Sequence, residues 1–287
     1  MSKQVLTIGF SPCPNDTFIF DALVHHKIDT EGLSFDPVIE DVETLNRKVI
    51  NHELDISKIS FAAYLPVSAF YRILNAGSAL GKGVGPLLVS TGEKAVRWKG
   101  DAGESVIIPG KNTTANFLFS IFYPLVKNKG EMIFSAIEDA LLSGQADAGV
   151  LIHEGRFTFA QKGLLKICDL GDLWEKETGL PIPLGGIVAD RRLPSEVLHK
   201  VDRVIRRSVE FALSNPLSGF DYVKQHAQEM DEAVRQKHIS LYVNNFSVHL
   251  GEEGRQAIEA LFTRAKENGL IAELPENIFV DQRIESC

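Results

Sequence analysis

The sequence predicts an α/β protein folded as two lobes joined by two hinge crossovers. Short apolar runs alternate with segments of helical period. A strand, turn and helix pattern at residues 5–17 returns at residues 105–114. Two segments rich in glycine and proline, 81–90 and 180–191, stand where the chain would pass from one lobe to the other. At 287 residues the chain is longer than a single core usually supports. Its composition, 44% hydrophobic and 24% charged, fits packed domains rather than disorder.

The elements follow in order. Val5–Phe10 is an apolar run that reads as a buried strand, and a helix is expected over Asp16–His26. Asp41 is placed to cap a second helix, whose apolar Val42, Leu45, Val49 and Ile50 fit helical spacing. Leu54–Ser60 is the next strand, and Ser105–Pro109 and Ala148–Ile152 are two more. Helical patterns cover Thr114–Val126 and Glu131–Ser143. Strands alternating with helices predict mostly parallel sheets. Near the end, Val201–Leu213 carries an apolar face and stops before Pro216, and Gly254–Asn268 is amphipathic with Gly269 as its stop.

The early recurrence extends further. VLTIGFSPCPNDT (5–17) and SVIIPGKNTT (105–114) each give a strand, a turn with proline, then Asn, Thr and a helix. NHELDISKIS (51–60) and SGQADAGVLI (143–152) each give a helix end, then Asp and a strand. Two βαβ lobes of one design account for both pairs, although any two βαβ units share some of this pattern. Residues 1–90 with 188–287 form the first, larger lobe in this reading, and 91–187 the second. GKGVGPLLVS (81–90) is not a dinucleotide loop, because Pro86 and a strand follow its glycines where a helix should begin.

Bulk properties exclude several classes. The net charge of −8 gives no general attraction to nucleic acid or an anionic membrane. No run approaches a membrane span, and the apolar run at the start is too short for a signal-peptide core. Cys13, Cys168 and Cys287 are odd in number and widely separated, which suits a reducing cytoplasm better than a disulfide framework. Neither HExxH nor CxxC spacing occurs, and there is no GxSxG elbow for a serine hydrolase.

Ligands of parallel sheets gather beyond the carboxyl ends of strands. Those ends carry Ser11–Thr17, Ser60, Gly110–Ala115 and His153, and two facing lobes would line one cleft with all of them. His153 follows an apolar strand, and a neutral imidazole there can accept a proton at neutral pH, although a lone histidine is also an ordinary core or surface residue. The turn Pro109–Ala115 opens a helix whose free N–H groups and hydroxyls suit a carboxylate; capping by Thr113 or Thr114 explains the same residues. Lys111 either helps an anion or is simply solvated. In Ser11–Thr17, two prolines stiffen the turn, Asn15 or Asp16 can cap the next helix, and Cys13 reads as wall rather than nucleophile. Lys58 and Ser60 either bond a ligand or supply ordinary strand-end polarity. Asn46 faces either the cleft or solvent. The remaining histidines, including His238, read as structural.

The segments SPCPNDTFIFDALVH, DVETLN, SKISFAAY, GKGVGPLLV, PGKNTTA, IHEGRFTF, TGLPIPLGGI and YVNNFS run in order from about Gly9 to Gly254. Together they resemble the 1,4-dihydroxy-6-naphthoate synthase family of the futalosine route to menaquinone. The resemblance implies a two-lobed type II periplasmic-binding-protein-like fold used as a cytoplasmic carbon–carbon lyase with no metal or other cofactor. It implies conversion of cyclic dehypoxanthine futalosine, a small carboxylated substrate, to 1,4-dihydroxy-6-naphthoate and dihydroxyacetone. It carries the proton acceptor onto His153 and substrate contacts onto Lys58, Ile59, Ser60, Thr114 and Ala115, with Asn46 in the DVETLN segment. Two alternatives share the fold: a non-catalytic small-anion binding protein, and the chorismate dehydratase of the same pathway. SPCPNDTF and IHEGRF favour the synthase. The oligomeric state is not legible.

Overall fold

The computed structural model describes residues 5–227 and 231–281, so Cys287 lies outside the described residues. The strands are β1 (Val5–Phe10), β2 (Ser34–Ile39), β3 (Ile56–Ser60), β4 (Tyr71–Ile73), β5 (Ala79–Gly81), β6 (Leu87–Thr91), β7 (Ser105–Ile108), β8 (Asn128–Glu131), β9 (Ala148–Leu151), β10 (Leu164–Asp169) and β11 (Ile182–Asp190). They form two sheets. The first runs β2-β1-β3-β11-β4 with β5 also on β11, and the second runs β10-β6-β9-β7-β8.

The sheets are mixed, not mostly parallel. Only β2-β1-β3 and β8-β7-β9 are parallel; β11 lies antiparallel on β3, and β6 antiparallel on β9. The cause is the double crossover. Each strand that carries the chain between lobes enters its new sheet against the direction of the βαβ unit already there. For the same reason the sheet change does not fall at residues 90 and 188. β6, read with the first lobe, pairs in the second sheet, and all of β11 pairs in the first.

The recurrence seen in the sequence persists at the level of single bonds. Asp55 Oδ2 accepts from the N–H and hydroxyl of Thr7 at 2.9 Å each. Asp147 Oδ2 accepts from the N–H and hydroxyl of Ser105 at 2.9 and 2.7 Å. In both lobes the same hydroxyl accepts in return from the aspartate N–H, at 2.8 and 3.1 Å. Three residues before each aspartate, His52 (φ 60°) and Gly144 (φ 79°) take the left-handed conformation that ends a helix.

Asp41 caps Val42–Ile50 as expected, accepting from the N–H of Glu43 and Thr44. Thr114–Phe122 is capped by Thr113. Asn15 and Asp16 do not cap; they sit inside the first turn of Pro14–Val24, for which Cys13 is the uncapped N-terminal residue. The expected helix over 131–143 is instead the end of β8, a 3-10 turn at Phe134–Ala136 and a helix at Ile137–Leu142. The late helices are Ser195–Ser214 and Gly251–Glu267. The amphipathic pattern is satisfied by burial of Val201, Val204, Ile205, Leu261 and Phe262. No helix among the described residues is long and apolar enough to cross a membrane.

The crossover between β5 and β6 is pinned by Arg156. Its guanidinium donates to the carbonyls of Gly83 (2.8 Å) and Gly85, and to Asp169 Oδ2 at 2.6 Å. Gly85 lies against Gly171, where a Cβ would meet backbone atoms and come within 2.7 Å of Asp169 Oδ1.

Candidate active site

A cavity lies between the two sheets. It is walled by Ser11, Asn15 and Asp16 after β1, by Lys58–Ser60 of β3, by Thr113–Ala115 before the helix of the second lobe, and by Ile152 and His153 after β9. Leu184 and Gly185 of β11 and Tyr242 complete much of the wall. The carboxyl ends of the two parallel units therefore face each other, as open α/β sheets place their ligands.

Contacts between the lobes hold this arrangement. Asn112, in the second lobe, donates its backbone and side-chain N–H groups to Glu43 at 3.2 and 2.6 Å. Gly110 (φ 144°) permits that approach, since a Cβ there would lie 2.6 Å from Glu43. Thr114 Oγ1 donates to the carbonyl of Leu184 at 2.7 Å and accepts from Ala62 N–H at 3.3 Å. Burial raises the Glu43 carboxyl above the ordinary range, offset in part by Asn112 and Asn46.

His153 adopts a left-handed backbone (φ 54°), an uncommon conformation for a residue with a Cβ. It packs against Phe134 with ring centroids 4.7 Å apart, and lies nearly parallel to His238 at 5.9 Å. Its Nε2 is buried with no hydrogen-bond partner among the described residues. Burial lowers its pKa from 6.5 to about 4, against the pull of Asp16 and Asp41. The imidazole is therefore neutral at pH 7, and its residue lines the cavity.

Lys58 is buried. Its ammonium donates to the Gly77 carbonyl and lies 3.5 Å from Asp16 Oδ1. Burial lowers its pKa, and Asp16 opposes the shift. Asp16 Oδ2 accepts from the Ser11 N–H and hydroxyl at 3.2 and 2.7 Å. Burial, and then the charge of Glu154, push the Cys13 thiol well above its usual range, which disfavours a thiolate nucleophile.

His153, Lys58, Ile59, Ser60, Thr114 and Ala115 are brought together in one wall. Asn46 is neither in that wall nor in solvent. It is fully buried behind Ser60, accepting the Ser60 N–H at 2.9 Å through Oδ1. Lys111 is exposed and outside the wall. Sequence reasoning gave no role to Tyr242 or Leu184, although both fall in quoted segments, YVNNFS and TGLPIPLGGI. It read His238 as merely structural. Nothing in the local pattern of the helix Glu232–Tyr242 shows that this side chain ends beside His153.

Known proteins resemble the chain over nearly its full length. A family model described as menaquinone biosynthesis matches residues 6–267. The 1,4-dihydroxy-6-naphtoate synthase of Thermus thermophilus is 44% identical over 281 residues, covering 96% of this chain and 100% of that one. The enzyme of the same name from Streptomyces coelicolor is 41% identical over 282 residues, with coverage of 96% and 97%. A crystal structure of an Archaeoglobus fulgidus protein superposes with a TM-score of 0.88 at 36% identity, covering 94% of this chain and all of that one. The periplasmic aliphatic sulphonate binding protein of Escherichia coli superposes with a TM-score of 0.67 at 12% identity, covering 100% and 95%, and shares the two-lobed fold alone.

Proposed function

This chain belongs to the menaquinone-biosynthesis family, and from that premise we propose that it is a carbon–carbon lyase of the pathway, a 1,4-dihydroxy-6-naphthoate synthase. The substrate in this reading is cyclic dehypoxanthine futalosine, and the second product is dihydroxyacetone. One molecule divides into two without net oxidation, so the steps are proton transfers and bond cleavage. The reading makes His153 the general base. The observation that carries it is the buried, unpartnered Nε2 of a histidine that belongs to the cavity wall on the second-lobe side. A neutral imidazole there takes a proton from the bound substrate and starts retro-aldol-type release of the three-carbon fragment. Lys58, Ser60 and the helix start at Thr114–Ala115 hold the substrate's anionic and polar groups against the overall charge of −8. Water is kept from the intermediate by the contacts between lobes at Asn112 and Thr114. The reading divides the chain into lobes where the sheets change, places it in the cytoplasm on its free Cys13 and Cys168, and gives it a small-molecule ligand with no nucleic acid.

The test is turnover of the purified protein, followed by the absorbance of the naphthoate product. His153→Ala is expected to fold and to lose on the order of 10²-fold or more in kcat. Near-normal turnover by that variant ends the assignment of His153. Recovery of unchanged ligand with the unaltered protein favours a binding protein instead.

A further inference from the structure

We propose that Asn15 is an additional substrate-contacting residue, a hydrogen-bond donor, and that His238 is the positioning residue that fixes it. The inference rests on the lyase reading above. It starts from an amide whose orientation can be deduced. Asn15 is buried in the cavity wall, and its side-chain nitrogen lies 2.8 Å from Asp16 Oδ1. Around Asp16 stand other donors: the Ser11 N–H and hydroxyl on Oδ2, and the Lys58 ammonium 3.5 Å from Oδ1. A carboxylate so surrounded accepts, so the Asn15 atom facing it is the NH2 group. The Asn15 carbonyl therefore points the other way, to His238 Nε2 at 2.9 Å. A carbonyl only accepts, so His238 carries its proton on Nε2.

His238 is itself held. It is fully buried on the helix Glu232–Tyr242 and packs on Tyr242 at 4.7 Å between centroids, while Nδ1 makes no hydrogen bond among the described residues. It is not in the cavity wall, so it acts through what it touches. The Asn15 amide then has its carbonyl bonded to His238 and one N–H to Asp16. One N–H remains, for which no partner occurs among the described residues. That donor belongs to a residue of the same wall as His153. It suits a substrate oxygen on which negative charge develops as the carbon–carbon bond breaks.

Measurement of kcat and KM on the full-length protein with cyclic dehypoxanthine futalosine tests this. Asn15→Ala is expected to lower kcat by about 10²-fold, as loss of one such donor does elsewhere. His238→Phe keeps the ring but not the donor and should lower kcat by more than about tenfold; His238→Gln places an N–H near the same point and should restore it to within a few-fold. Because His238 acts through Asn15, the double variant Asn15→Ala/His238→Phe should be no slower than Asn15→Ala alone. Unchanged kcat in Asn15→Ala overturns the proposal, and so does a fully additive loss in the double variant. If His238→Phe fails to fold, Asn15→Ala decides alone. A wild-type protein that makes no naphthoate refutes the lyase reading instead, and shows itself before any variant is compared.

Discussion

Acidification should destabilise this protein through His153, by an amount the structure sets. The perturbation is a fall in pH from 8 to 4, applied to the wild type and to His153→Gln. Burial takes the ring from 6.5 in the unfolded chain to about 4 in the folded one. Between those values the unfolded chain holds a proton that the folded chain does not. Stability from the neutral ring is therefore fully present above pH 6.5 and is lost as pH falls through 4. At about 1.4 kcal/mol per pH unit, the loss is about 3 kcal/mol. Carboxylates also titrate in this range, but they do so in both proteins, and the glutamine has nothing to titrate. His238 is shifted the same way, chiefly by burial, which is common to both; the smaller push from His153 acts only when both rings are protonated and goes with the ring. Urea unfolding at each pH gives the difference directly. The wild type should lose about 3 kcal/mol more than the variant on going from pH 8 to pH 4. Equal losses, within about 0.5 kcal/mol, would show that the folded ring titrates normally and is not enclosed as described.

Three further outcomes are expected. Gly85→Ala should destabilise the protein by about 1–3 kcal/mol in urea unfolding, because its Cβ would be driven into Gly171 beside the Arg156 anchor; a neutral effect would mean that this crossover is not packed. Asp55→Ala and Asp147→Ala remove equivalent acceptors and leave part-buried donors on Thr7 and Ser105, so each should cost about 1–3 kcal/mol and the two costs should be similar; a large asymmetry would contradict the structural equivalence. Turnover should survive exhaustive treatment with a chelator, and a loss restored by one added metal ion would contradict acid–base chemistry alone.

What was legible in the sequence was what depends on neighbouring residues. The buried strands β1, β3, β7 and β9 stood out because they are short, apolar and bounded by turns. Asp41 announced its helix because capping is a contact over two or three residues. The strand β2 was missed because its pattern, SFDPVI, is half exposed and interrupted by proline. β8, NKGE, carries almost no apolar signal; it exists because β7 offers a free edge in the parallel register Ser105–Asn128. The direction of β6 and β11 was illegible for a related reason, since it is fixed by which lobe the chain has just left. In the site, the strand-end residues could be read from topology. Tyr242 in the wall and His238 outside it could not, because a helix late in the chain delivers both to residues far earlier.

The two lobes also differ where chemistry would require it. The hydrogen bonds that tie Thr7 to Asp55 recur between Ser105 and Asp147, so the framework of each βαβ unit is the same. The ends of β3 and β9 are not. After β3 the chain turns at once into a helix at Phe61–Tyr64, leaving Ser60 in the wall with its N–H on Asn46. After β9 it takes a left-handed step at His153 before the turn at Gly155–Thr158, so an imidazole follows the second-lobe strand where Phe61 follows the first-lobe one. The asparagines in the two equivalent turns diverge in the same way. Asn112 turns its backbone and side-chain N–H groups to Glu43 and joins the lobes, whereas the side chain of Asn15 is held by His238 and Asp16. A repeated scaffold explains why the cleft exists, but only these departures from the repeat give the cleft two unlike faces.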